Sequence, residues 1–467
     1  MDRRTASGRL VPLDYPVAPA AQPAPAPAGA ASVSSRGPLR NRSFLIFWSG
    51  QTLASLGNMF ALIAMPLLVL QATGQVAQMG LVTATFTVGQ LVSGLFAGQL
   101  VDALNRRVLM IICDAGRAVI FAAIPLTWIF FGPQVWLIYV VTALGSVLGM
   151  IFQVGYVTAV ANLVEKDQII TANGYINASM AISAMIGPLL GGVAVARFGP
   201  AIALSAQTAA FAISALSLLL VRLRPVAADA TQAQGSEHGI NALLAGVRYL
   251  FGQPVLCAVS VILLAYGLAT GAGLDLFIFH IKSDLHQDGT AVGFVFAASS
   301  IGAIIGSLAA GIIRKRLGFG PAYLGAVILS GLPFMVIGMS YNLYVVAGLA
   351  AVFQLVSMVM GINSMSLRQE ITPDALLGRV TAAFWTVSGI MTPLGAALGT
   401  ALAARIGAPW TFFWMGLLMV GIGLAGVFSP ARQRRPAGSA LGAAPQGAAV
   451  TPDHAEQMAQ EPQVAGV

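Results

Sequence analysis

The sequence predicts an all-α membrane protein with twelve transmembrane helices in two pseudo-symmetric six-helix bundles. Three observations carry that expectation. The 467 residues are 57% hydrophobic and only 9% charged, with mean hydropathy +0.83. Soluble domains carry about 25% charged residues, so this chain cannot cover a soluble surface. Twelve apolar runs occur, each near the ~20 residues a helix needs to cross the hydrocarbon core. The two halves also repeat at an offset of 213 residues: Gly80 with Gly293, Val82 with Val295, Gly89 with Gly302, Gly98 with Gly311. The 52 Gly fit helices that approach closely in lipid.

Taken in order, residues 1–40 are rich in Ala and Pro and lack the apolar core of a secretory leader. They read as a disordered tail. Six spans follow, at roughly 44–71, 78–100, 108–131, 134–160, 171–196 and 201–221, forming a first bundle over 41–221. A polar stretch, 222–254, reads as a cytoplasmic linker. Six more spans, at roughly 255–281, 291–313, 321–340, 343–367, 380–404 and 409–429, form a second bundle over 255–430. Residues 431–467 are a second disordered tail. Two repeated six-span halves imply a transporter with its site at the midplane between them.

Orientation follows from Lys and Arg. With the N-terminus in the cytoplasm, the inside segments hold nearly all of the 24 Lys and Arg, Arg368 and Arg379 among them. The outside loops hold only Arg197, Lys282 and Arg405, and Arg117 falls inside a span. Both termini are therefore expected in the cytoplasm. The same asymmetry explains a net charge of +8 without nucleic acid as a partner. Trp128, Trp136, Trp410 and Trp414 fall near the expected outer interface, where indole rings prefer to sit.

Several chemistries are absent. Cys113 and Cys257 lie in apolar runs and argue against a disulfide framework. No Cys/His cluster has metal-ligand spacing, and no Lys follows Gly in a phosphate-loop pattern. No nucleophile–base constellation appears, so an enzyme is not expected. Neither is a cofactor or a metal.

The strongest local motif is Gly98-Gln-Leu-Val-Asp102-Ala-Leu-Asn105-Arg106-Arg107, between spans 2 and 3. Gly98 would allow close packing at the end of span 2. Asp102 offers a fixed charge near helix ends. Asn105 sits where a left-handed turn residue would serve. A second motif, Gly174, Ser183, Gly187-Pro188-Leu-Leu-Gly191-Gly192, gives span 5 a kink-prone Pro and a small-residue face.

On these residues the chain resembles the major facilitator superfamily. Its signature loop, Gly-x-Leu-x-Asp-x-x-Gly-Arg-Arg/Lys, is matched except that Asn105 replaces the second Gly. The resemblance implies that Gly98, Asp102, Arg106 and Arg107 form the loop that gates inward and outward states. The span 5 motif is similar to the family's antiporter motif, with Ser183 replacing one Gly, and implies export. Phe47-Trp48-x-Gly50-Gln51, Gly57, Pro66-Leu67-Leu68-Val69-Leu70 and Asn173 resemble the branch that includes macrolide and enterobactin exporters. Two departures stand out. Span 4 lacks the Arg that many drug–proton antiporters carry, and Asn58 stands where members often have an acid.

Charge in hydrocarbon is costly and marks function by default. Asp114 and Arg117 are spaced i, i+3 on span 3 and can pair on one helix face. They read either as a structural pair supporting the gate or as part of a proton or substrate site. Asp275 stands alone in span 7, after Gly267, Gly271 and Gly273. It reads as a proton-coupling or cation-binding carboxylate, or as an outer-vestibule residue exposed to water. His280 is expected at the outer interface. Asn58, Gln153, Gln354 and Trp385 lie on helices that line the cavity in the family. Each serves there or as interhelical glue.

The expectation is a monomeric exporter of a small amphiphilic molecule, working by alternating access in the bilayer against protons. The rivals are an uptake symporter or facilitator, and a non-transporting receptor or scaffold on the same fold.

Overall fold

The computed structural model describes residues 38–161, 163–165, 168–221 and 240–434. The expected tails, apart from their bundle-proximal ends, and most of the expected linker lie outside the described residues. Twelve described helical segments are long and apolar enough to cross a membrane. In the first half they are α1 (Arg42–Thr73), α2 (Val76–Ala103), α3 (Arg106–Phe131), α4 (Val135–Ala161), α5 (Ile169–Phe198) and α6 (Pro200–Leu220). A short helix, α7 (Ile240–Gly252), falls within the stretch read as a linker.

The second half contains two broken spans. Span 7 is α8 (Pro254–Thr270), a turn, α9 (Gly273–Phe279) and a π-helical turn, His280–Asp284. Then come α10 (Gly289–Leu317), α11 (Phe319–Ile337) and α12 (Leu343–Ile371). Span 11 is α13 (Asp374–Gly389) followed by α14 (Met391–Ile406), and α15 (Ala408–Val427) completes the bundle.

Local chemistry sets the boundaries. Asn41, Asp288 and Asn342 cap the starts of α1, α10 and α12, each accepting two backbone N–H bonds. Asn105 does the same for α3, accepting from Arg107 N at 3.1 Å and Val108 N at 3.4 Å. Its backbone is extended (φ −63°, ψ 111°), not left-handed, because a capping side chain needs the extended conformation. The reversals after α5 and α14 are alike: Gly199 has φ 81°, ψ 160° and Gly407 has φ 85°, ψ 158°. A side chain at such a φ is strained, and the repeat conserves the backbone conformation with the residue.

In the first half α1 packs on α5 and α6, α3 on α4 and α6, and α2 on α4. In the second, α10 packs on α12, and α11 on α12 and α15. Two seams join the halves, α5 against α10 and α2 against α14. Lipid supplies no hydrophobic drive between helices, so close approach depends on small residues. A Cβ on Gly192 would collide with the Gly289 carbonyl and lie 3.0 Å from Gly293 Cα. A Cβ on Gly80 would collide with Thr400. Both contacts lie toward the end away from the Arg-rich turns. Toward the Arg-rich end that approach is not repeated: a Cβ on Gly174 or Gly311 would meet open space, and Asn173 and Asn177 on α5 and Ile304 and Leu308 on α10 are exposed.

Candidate functional site

A cavity of about 550 Å³ opens on the helices of the first half. All six spans of the first half line it, and Leu274 of α9 is the second half's contribution. Its wall is largely apolar. Aromatic rings (Phe86, Phe121, Phe152, Phe211) alternate with flexible methionines (Met59, Met65, Met79, Met150, Met180). Thioethers adapt their shape to different guests.

The polar part of the wall is a network across three helices. Arg117 Nη1 bonds Asp114 Oδ1 at 3.0 Å, and both side chains are buried. Ser214 on α6 donates to the other carboxylate oxygen at 2.5 Å. Gln51 on α1 donates to Ser214 Oγ at 2.8 Å. The guanidinium carbon of Arg117 stands 3.7 Å from the centroid of Phe211 and 5.6 Å from that of Phe152. Both carboxylate oxygens are therefore engaged, and the cation is matched by an acid and a ring face. Asn58 accepts a bond from Gln207 at 3.4 Å, and Gln153 projects into the cavity as an exposed side chain.

Ser214 and Gln207 were not singled out by sequence, and Gln51 was noted only as part of a motif, not as a cavity residue. One signal existed: Gln51, Ser55 and Asn58 follow i, i+4, i+7 spacing and so share one face of α1. Gln354 is half-buried on α12 and Trp385 is exposed on α13, and neither lines this cavity.

Asp275 lies at the roof rather than in the wall. It is 0% exposed, so it is not a water-exposed vestibule residue in this conformation. Thr83 on α2 donates to its Oδ1 at 3.1 Å, and its Oδ2 is buried without a hydrogen-bond partner. The hydroxyl of Thr83, itself a lining residue, stands between the cavity and the carboxyl. The break at Gly271–Ala272 places Asp275 there: α9 starts afresh and turns its first residues toward α1 and α2.

His280 is also buried rather than interfacial. The π-helical turn swings its ring inward, where Nδ1 meets Asp284 Oδ2 at 2.7 Å and Nε2 meets the Ser340 carbonyl at 3.1 Å.

The two motifs fall at opposite ends. Arg107 Nε and Nη2 donate to the Leu218 and Leu219 carbonyls at 3.0 and 2.5 Å, capping the end of α6. The side chain of Asp102 lies outside the described residues. No described atom lies within 4 Å of where a Cβ on Gly98 would sit, so the close packing expected there is not made. Gly174 is equally clear of neighbours. Gly187 and Gly191 press on Met59 and Phe60 of α1, while Pro188 and Gly192 meet α10. The span 5 motif thus packs α5 against α1 and α10.

Residues 47–282 and 270–458 match the family model described as Major Facilitator Superfamily. The multidrug efflux pump Tap of Mycolicibacterium fortuitum is 28% identical over 404 residues, covering 85% of this chain and 97% of that protein. The enterobactin exporter EntS of Escherichia coli O1:K1 is 26% identical over 368 residues, covering 77% and 85%. The nucleoside transporter NupG has a similar structure, with a TM-score of 0.66 at 13% identity, covering 83% and 98%. A bacterial homologue of the iron transporter ferroportin, in an inward-facing state, gives 0.60 at 13%, covering 82% and 97%. At these identities the structural likeness concerns the fold alone.

Proposed function

Because the chain belongs to the major facilitator superfamily, we propose that it exports a small amphiphilic organic molecule across the inner membrane in exchange for protons. The observation that carries the proposal is the cavity itself. It combines a broad aromatic and methionine wall with one charge-paired spot, Asp114–Arg117. An apolar pocket with a few fixed polar groups suits an amphiphile with loose demands on shape. The names of the similar efflux proteins support export.

In this reading the Arg-rich end faces the cytoplasm, as the Lys and Arg asymmetry requires. The structure is then the inward-facing state, loaded from the cytoplasm or the inner leaflet.

Asp275 is the proton carrier. A charged carboxylate fully buried with one hydrogen bond is costly, whereas its neutral form loses little. The proton enters at Asp275 when the outer seam opens and is released only after that seam has shut. It leaves toward the cytoplasm past the Thr83 hydroxyl. Substrate travels outward on the opposite half-cycle.

The test is accumulation of labelled antibiotics, dyes and siderophores in efflux-deficient cells, with and without a protonophore. Wild type is compared with Asp275→Asn and Asp102→Asn. Lower accumulation in wild type, abolished by the protonophore and by Asp275→Asn, is the expected result. Higher accumulation in wild type overturns export and points to uptake. No change for any compound, with the protein present in the membrane, points to a non-transporting role.

A further inference from the structure

Among the described residues three arginines are buried against aromatic rings, and Arg117 and Arg314 each have a carboxylate partner while Arg368 has none. In the first half, Arg117 stacks on Phe211 and is paired with Asp114. In the second half, Arg368 is 2% exposed, with its guanidinium carbon 3.4 Å from the Phe384 centroid and 5.6 Å from that of Trp385. Sequence reading assigned Arg368 to a cytoplasmic segment, but it lies in the last turn of α12, inside the bundle. Its Nε and Nη1 are buried and have no hydrogen-bond partner. Among the described residues no carboxylate pairs with it. The nearby Glu370 is taken by Arg314 at 2.8 Å.

A ring satisfies the face of a guanidinium but not its in-plane N–H groups, which need oxygen acceptors. Leaving them empty in a buried site costs the desolvation of a charged group. Two further donors share this condition. Ser364 sits four residues before Arg368 on the same face of α12, and Thr372, the residue that caps the end of α12, donates its N–H to the Arg368 carbonyl at 3.0 Å. Their hydroxyl oxygens are buried and also lack partners. The end of α12 therefore presents a cation with two hydroxyls and no acid paired to it.

We propose that Ser364, Arg368 and Thr372 form an oxyanion site for a phosphate or carboxylate group. It is separate from the cavity of the first half, whose lining includes none of the three. The site lies in the last turn of α12. Both a soluble anion and an anionic lipid headgroup carry the chemistry it reads. The planar fork of arginine suits such groups better than the point charge of lysine.

The experiment is thermal unfolding of the full-length protein in neutral detergent. Inorganic phosphate is titrated against chloride at constant ionic strength. In parallel, phosphatidylglycerol is titrated against phosphatidylcholine. The expected result is a saturable rise in unfolding temperature in at least one arm. A rise with phosphate identifies a soluble oxyanion, and a rise with phosphatidylglycerol alone identifies a lipid headgroup. Arg368→Gln loses the rise, while Arg316→Gln, at an exposed arginine nearby, keeps it. Should Arg368→Gln fail to fold, Arg368→Lys retains the charge without the fork. It then needs about tenfold more ligand for half-saturation, the loss of one charge-assisted bond. No rise in either arm for wild type overturns the proposal. So does an Arg368→Gln or Arg368→Lys protein that responds as wild type does.

Discussion

Thr83 and Asp275 meet across the seam between the two halves, the hydroxyl of α2 donating to the carboxyl of α9 at 3.1 Å. Because the two residues belong to opposite halves, opening this seam would part them, which would link the carboxyl's protonation to the conformation. Raising the pH removes the proton and leaves a buried charge with one partner, which weakens closure. Lowering the pH strengthens it. Asp275→Asn keeps a neutral group and the hydrogen bond. It is expected to fold and close normally, to lose export driven by a proton gradient, and to show no pH response of the seam. Spin-label distances between the ends of α2 and α14, followed from acid to alkaline pH, measure this. A variant whose seam still opens with pH would show that another group carries the proton. Thr83→Val removes a bond of about 0.5–1.5 kcal/mol and should slow the cycle without abolishing it.

The Asp114–Arg117 pair behaves differently because both charges are satisfied in place. Removing one partner strands the other, which costs about 3–5 kcal/mol in a buried setting. Asp114→Asn and Arg117→Gln should each lower the unfolding temperature and abolish transport. The double variant should recover much of the stability but not the transport, because the cavity has then lost its charged spot. Thermal unfolding alongside vesicle transport separates the two effects. Equal instability of single and double variants would mean the pair contributes no mutual compensation.

The seam away from the Arg-rich turns rests on the approach of α5 to α10. Gly192→Val would drive a side chain into Gly289 and Gly293. Overpacking of this kind costs about 1–3 kcal/mol, enough to shift a two-state balance about tenfold. The expected outcome is a population moved toward the outward-open form. In a background lacking Cys113 and Cys257, a cysteine introduced at Asn177 should then react more slowly with a reagent supplied from the Arg-rich side. An unchanged labelling rate would show that the seam relaxes around the valine.

The parts of this molecule legible in sequence are those fixed by local rules. Hydropathy over about twenty residues locates spans because lipid demands that every backbone group bond within its own helix. The i, i+3 spacing of Asp114 and Arg117 is enough to pair them, since helix geometry alone brings them together. Gly199 and Gly407 close spans 5 and 11 with the same positive φ, a conformation that glycine adopts without strain. What was not legible depends on three-dimensional neighbours. Nothing local says that a break before Gly273 turns Asp275 toward Thr83, or that a π-helical turn buries His280. Ser214 reads as packing until Asp114 and Gln51 are placed beside it. Arg368 reads as a loop cation because hydropathy cannot see a ring waiting to stack beneath it.

Gln153 offers the sharpest separation of binding from stability. It lies in the cavity wall with its side chain exposed. Gln207, by contrast, is buried and bonds Asn58 across the α1–α6 contact. Gln153→Leu should leave the unfolding temperature within about 0.5 kcal/mol of wild type, as exposed substitutions do. It should raise KM for substrates that offer a hydrogen-bonding group toward α4. Substrates that touch this wall only through apolar surface should bind as before or better. One unmade bond is worth about 0.5–1.5 kcal/mol, so the change in KM is severalfold and selective among compounds. Competition assays with a matched pair differing by one hydroxyl would read it directly. A uniform change across polar and apolar members of the pair would place Gln153 in the conformational cycle rather than in contact with substrate.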